Sequence, residues 1–191
     1  MIFTPQWVAQ NIYELPEIEA LVAFAPIVPV IYRDESVEMR MSATRLEFIA
    51  REHRDENLTR AEQLASRVLE RLAVTPVTAV GINFAFSENQ PNDRLLELFN
   101  FSDNAELADR GWGIDAKRIV RTLSQAEQVL NLTYSLTGTI IGIDLNYHYA
   151  VQSAEGARHV IQGQVLNRNQ DALTLLRETL ALNLEVPQNA D

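Results

Sequence analysis

Between Thr137 and Val151 the chain reads TGTIIGIDLNYHYAV, and three polar residues, Asp144, Asn146 and His148, recur there at every second position. A histidine held by a carboxylate can exchange protons near neutral pH, and a carboxylate beside an amide can orient a polar substrate. The alternate positions, Ile141, Ile143, Leu145, Tyr147 and Tyr149, are apolar. An antiparallel strand with one face in water shows the same alternation and does no chemistry at all. Position must therefore decide between the two. A tight turn at Thr137-Gly138 that pairs Leu136 with Thr139 is expected to set Asn131 beside Asp144, Val129 beside Asn146 and Glu127 beside His148. On that register His148 would be the acid/base and Glu127 its orienting partner, with Asp144, Asn146 and Asn131 available to a substrate. Because alternation alone accounts for the row, no catalytic residue is assigned, and a solvated or interface face is the favoured reading.

A second group is basic. Lys117, Arg118 and Arg121 share one apolar-basic stretch, and Arg51, His53 and Arg54 close another. Brought together, such residues suit a phosphate or carboxylate ligand. Asp115, Asp55 and Glu56 lie among them, which favours ordinary solvated strand ends. A metal site would have to recruit His148 and His159 with Asp144 or Glu155, at a spacing that matches no ligand motif. No metal and no cofactor is expected. GWGID lacks the third glycine of a dinucleotide loop, and no G-x-S-x-G, H-E-x-x-H, Walker or EF-hand pattern occurs.

Composition narrows the classes further. A chain of 191 residues with 47% hydrophobic and 22% charged residues can bury a core, and it fits a single domain over 1–191. With 26 acidic against 16 basic residues, the net charge of -10 opposes adhesion to phosphate backbones or anionic lipid, so neither nucleic acid nor membrane is an expected partner. There is no cysteine, hence no thiolate nucleophile, disulfide or thiolate metal site. MIFTPQWVAQ lacks the charged and apolar regions of a secretory signal, and the apolar run Ala20 to Ile31 is short and broken by Pro26 and Pro29. A cytoplasmic protein is expected.

The elements that must position these residues show in the periodicity. VPVIYR, turning at Asp34-Glu35 into SVEMRM, is expected to pair Arg33 with Ser36, Tyr32 with Val37, Val30 with Met39 and Val28 with Met41. The next turn sets Met41 against Leu46, Met39 against Phe48, Val37 against Ala50 and, on the reverse face, Arg40 against Glu47. A helix over 57–73 follows from the stripe Leu58, Ala61, Leu64, Val68 and Leu72, capped by Asn57 or by Thr59 with Glu62. VTAVGINFAFSE predicts a strand whose small row, Ala79, Gly81, Asn83 and Ala85, suggests a central position covered on both sides. NDRLLELFNF predicts a short helix and SDNAELADRGWG a loop.

The hairpin of the opening motif sets Tyr134 against Ile141, Leu132 against Ile143 and Leu130 against Leu145. Leu173, Leu176 and Leu180 then predict a helix over 171–184. The N-terminal stretch WVAQNIYELPEIEALVAFAP has no clean period. It fits either a cover for the sheet or an arm gripping a second subunit, with Trp7 and Tyr13 as anchors.

Together these readings predict an α+β fold: a largely antiparallel sheet of about seven strands in two meanders (28–51 and 114–149), covered by the helices over 57–73 and 171–184. A loose internal duplication over about 20–75 and 105–184 fits the order of elements. The expected function is non-enzymatic: protein binding or scaffolding, with self-association as a homo-oligomer through a sheet face or edge. The alternative is a small-molecule or anion pocket, or an enzyme built on the polar row.

Overall fold

The structure, a computed structural model, describes residues 3–22, 30–126 and 128–182. It has the expected α+β class, with two antiparallel sheets of four strands each rather than about seven strands in all. The chain divides into two compact units, one over 3–78 and 151–167, the other over 79–150 and 168–182.

The first unit opens with α1 (Pro5–Val8). Proline sits at its start, where a missing N–H costs nothing, and the Thr4 hydroxyl accepts from the Trp7 N–H at 3.2 Å. A π-helical turn (Ala9–Tyr13) continues it. Val8, Ile12 and Tyr13 from this stretch are fully buried, so the aperiodic N-terminus packs into its own unit's core. The Tyr13 hydroxyl donates to the carbonyls of Tyr32 and Val37 at 3.2 and 3.3 Å.

The sheet runs β1 (Glu19–Leu21), β2 (Val30–Arg33), β3 (Val37–Met41) and β4 (Leu46–Ala50), in that spatial order. The predicted pairing of Val28 lies outside the described residues. β3 and β4 pair in the expected register, Arg40 opposite Glu47 included. β2 and β3 do not: Tyr32 faces Met39 and Val30 faces Met41, two residues from the expected alignment. The cause is the Asp34 carboxylate, which accepts from the Ser36 and Val37 N–H groups at 2.8 and 2.7 Å. It thereby moves the turn to Glu35-Ser36. A shift of two leaves every side chain on its face.

α2 (Asp55–Arg71) lays Leu58, Ala61, Leu64 and Val68 on this core. Neither expected cap forms, because the helix begins before Asn57 and Thr59. Glu62 serves another helix instead: its carboxylate accepts from the Gly163 and Val165 N–H groups at 2.8 and 3.0 Å. This caps α6 (Val165–Leu180), which starts six residues before the predicted Asp171; the predicted end at Leu184 lies outside the described residues. Glu62→Ala is expected to cost about 1 kcal/mol, the usual worth of a lost N-cap, read as a lower urea midpoint at unchanged slope. α5 (Ala154–Ile161), capped by Ser153, packs against α2.

The second unit holds β5 (Ala79–Glu88), β6 (Ala116–Gln125), β7 (Gln128–Thr137) and β8 (Ile140–Ala150), in the spatial order β5-β8-β7-β6. β5 is thus an outer strand, not the central one its small row suggested. The β7–β8 register is again two residues from expectation: Tyr134 faces Ile143, Leu132 faces Leu145 and Leu130 faces Tyr147. The turn residues are Gly138 and Thr139, with Gly138 at φ 60. A two-residue hairpin of this hand needs positive φ at its first turn position, which glycine supplies most cheaply, so the turn slides one residue along.

Ile82, Phe84, Leu130, Leu132, Tyr134, Ile141, Ile143, Leu145 and Tyr147 form the buried row of this sheet. Ala172, Leu173, Leu176 and Leu180 of α6 are buried in the same unit, as are Leu95 and Phe99 around α3 (Asp93–Glu97). The expected loop after Ser102 contains α4 (Asn104–Asp109). Gly111, at φ 82, lets the Trp112 N–H turn back to the Leu107 carbonyl at 3.0 Å and close that helix.

Candidate functional site

Asp144, Asn146 and His148 all lie on β8 of the second unit's sheet, with the parity predicted. Asp144 and Asn146 project from the face opposite the buried row; so does His148, half-buried. Their neighbours differ from expectation because of the two-residue shift. His148 faces Gly81 on one side and Val129 on the other, and Asp144 faces Ala85 and Thr133. Glu127, the expected partner of His148, lies outside the described residues, and the position opposite His148 belongs to Val129. Asp144 is four residues from His148 along one strand, about 13 Å at the rise of a β-strand, too far to orient the ring. The sheet thus does not bring His148 and Asp144 together as an acid/base pair.

Asn146 and Asn131 do come together, in an arrangement that sequence reasoning missed. Asn83, Asn146, Asn131 and Thr122 are successive register partners across all four strands. The Thr122 hydroxyl donates to the Asn131 carbonyl at 3.1 Å, and the Asn131 amide donates to Asn146 at 3.0 Å. Asn146 in turn donates to Asn83. All three bonds run the same way, from β6 toward β5, so the amide dipoles reinforce one another. The rung begins on one outer strand and ends on the other.

Gly81 gives it room: a Cβ there would stand 3.0 Å from the Asn146 amide nitrogen and press on it. Within the small row on β5, Gly81 thus answers to a reaching asparagine. Gly81, Ala85 and Ser87 leave the rest of that strand's outward face low and exposed. The visible signal was the asparagine at one parity in three strands. Without the correct register it could not be seen as a row.

The three basic residues of β6 do not share one face of the sheet. Lys117 and Arg121 lie on the sheet's apolar side. The Lys117 ammonium donates to the Phe99 carbonyl at 2.9 Å and sits 5.8 Å from the Phe101 ring, while the Arg121 guanidinium lies 5.9 Å from the Tyr134 ring. Arg118 has the opposite parity and is exposed. Among the described residues none of the three pairs with a carboxylate. Arg51 and Arg54 belong to the first unit, where Arg51 donates to the Asp34 carbonyl and Arg54 pairs with Glu52.

His159 and Glu155 are on α5 of the first unit, and among the described residues no group of three metal-ligating side chains occurs. A groove of about 540 Å³ in the first unit is lined by Ser36, Asp55, Glu56, Thr59, Arg60 and Gln63, and holds none of the candidate residues. Among the described residues no helix is long and apolar enough to cross a membrane.

On the buried side, the Arg168 guanidinium of α6 lies 5.5 Å from the Tyr147 ring and pairs with Asp171 at 2.7 Å. Burial, helped by the Asp171 charge, pushes the Tyr147 phenol up to about 12 from its ordinary value near 10. The folded state then holds this proton in a range where the unfolded chain loses it. The resulting stability is complete below about pH 10 and is lost as pH rises toward about 12. The melting temperature of the native protein is expected to fall more steeply between pH 9.5 and 11.5, roughly the span set by ordinary and shifted phenols, than that of Tyr147→Phe.

No family model, curated protein or solved structure matches this chain. The functional reading rests on the rung and on the two outer strands that terminate it.

Proposed function

We propose that the chain is a non-enzymatic binding domain that associates with protein, its own copies included, through the exposed sheet of the second unit. The observation that carries this reading is the rung from Thr122 through Asn131 and Asn146 to Asn83. It consists wholly of neutral amides and one hydroxyl that donates to an amide oxygen; these order a surface but supply neither an acid, a base nor an activated nucleophile. It lies on an exposed face and reaches both outer strands, each ten residues long. An outer strand offers main-chain donors and acceptors to a further strand, and β6 does so with Val120 60% and Leu123 45% exposed. The split of Lys117 and Arg121 from Arg118 gives the anion reading less support, and Asp144, four residues from His148, stands too far away to be the carboxylate that holds its ring.

Light scattering after size exclusion, over about a hundredfold range of concentration, tests the proposal. A mass that rises with concentration is expected. Asn146→Ala should weaken association while costing the fold no more than about 1 kcal/mol, since Asn146 is only half-buried and the net worth of such a hydrogen bond is about that. A strict monomer at every concentration, with no protein captured on the immobilised chain, contradicts it.

A further inference from the structure

We infer that the second unit's sheet is continued from copy to copy, β6 of one chain pairing antiparallel with β5 of the next. This rests on the self-association just proposed and names its interface. The sheet has four strands in strictly antiparallel order, so β5 and β6 run in opposite directions. A second copy, placed beside the first without being turned over, brings its β5 antiparallel to the exposed β6. The buried rows then fall on one side and the polar rows on the other.

The amide rung selects the register. It starts at Thr122, whose hydroxyl oxygen can still accept, and ends at Asn83, whose amide can still donate. Setting Asn83 of the next copy opposite Thr122 joins donor to acceptor and continues the rung unbroken. The same alignment sets Glu88 against Lys117, Phe86 against Ile119, Phe84 against Arg121 and Ile82 against Leu123. Opposite charges meet, apolar residues meet, and a guanidinium meets a ring. Ala85 and Val120, both exposed, become direct neighbours on the polar side.

Pairing like with like fits less well. Two copies of β6 double its three cations along one seam, with no carboxylate from either strand, because Ala116–Gln125 contains none. Two copies of β5 centred on Phe84 face Glu88 with Val80 and end the rung. Cations on an outer strand deter a strand of the same charge, and here they favour the one that carries Glu88. The contact is head-to-tail, so it gives a series of sizes, or a closed ring, rather than a two-fold dimer.

The absence of cysteine from the chain makes a direct test available. Ala85→Cys and Val120→Cys are prepared as single variants, with thermal melts matching the native protein, and are oxidised with diamide. Each alone is expected to stay uncross-linked, their mixture to give a disulfide dimer, and the double variant a ladder or ring. Ala85→Cys mixed with Ser124→Cys, four residues off and therefore about 13 Å away along the strand, should give none. Cross-linking of either single variant with itself would overturn the inference in favour of a two-fold contact. Failure of the mixture to cross-link while light scattering shows oligomers would overturn this interface and leave self-association standing. A strict monomer in light scattering would remove both.

Discussion

Ile143→Asp is expected to abolish the fold of the second unit. Ile143 is fully buried in β8 between Phe86 and Tyr134, the latter also fully buried. A carboxylate there has no cation opposite it, and an unpaired charge in such a place costs well over 4 kcal/mol, a large share of the roughly 5–15 kcal/mol that holds a domain together. Loss of amide dispersion for residues 79–150 in a heteronuclear NMR spectrum checks it. The neighbouring substitution sharpens the point. Asp144→Ala, one residue along on the exposed face, should stay within about 0.5 kcal/mol of the native protein. Equal effects at the two positions would contradict the facing of the strand.

The second large effect belongs to the first unit. Leu64, on α2, is fully buried in the cluster that also holds Val8, Ile12, Tyr13, Val37 and Met39. Leu64→Ala leaves a cavity in a core bounded by the N-terminal segment, a sheet and a helix, and should cost about 2–5 kcal/mol by urea denaturation. The N-terminal segment resists collapse into the hole because cations of α2 hold its main chain: Arg60 donates to the Tyr13 carbonyl at 2.7 Å, and Arg67 donates to that of Ile12. A cost at the upper end of the range is therefore expected.

Parity was legible in the sequence and register was not. Alternation tells which side chains share a face, and the faces of β2, β3, β7 and β8 follow it, with Thr133 of β7 the one outward residue of these strands that is buried. Register depends on turn chemistry, and in two hairpins a local detail moved it by two residues: the Asp34 carboxylate in one, the positive φ of Gly138 in the other. That slip hid the asparagine rung, because Asn131 was aligned with Asp144 instead of Asn146.

The early start of α6 was hidden for a different reason. Its cap comes from Glu62, a hundred residues away in sequence, where no local pattern can announce it. Strand order was likewise out of reach: small residues on β5 mark a close approach, but not whether a side chain or another element makes it.

Hydrogen exchange of the β6 main chain as a function of protein concentration bears on binding through the outer strand most directly. Among the described residues β6 makes no backbone hydrogen bonds beyond its ladder with β7. If copies join there, amides of Ala116–Gln125 that face away from β7 should exchange freely in dilute solution and become protected as concentration rises. Those facing β7 should be protected throughout. Outward amides that exchange at the same unprotected rate from the most dilute to the most concentrated sample would contradict it.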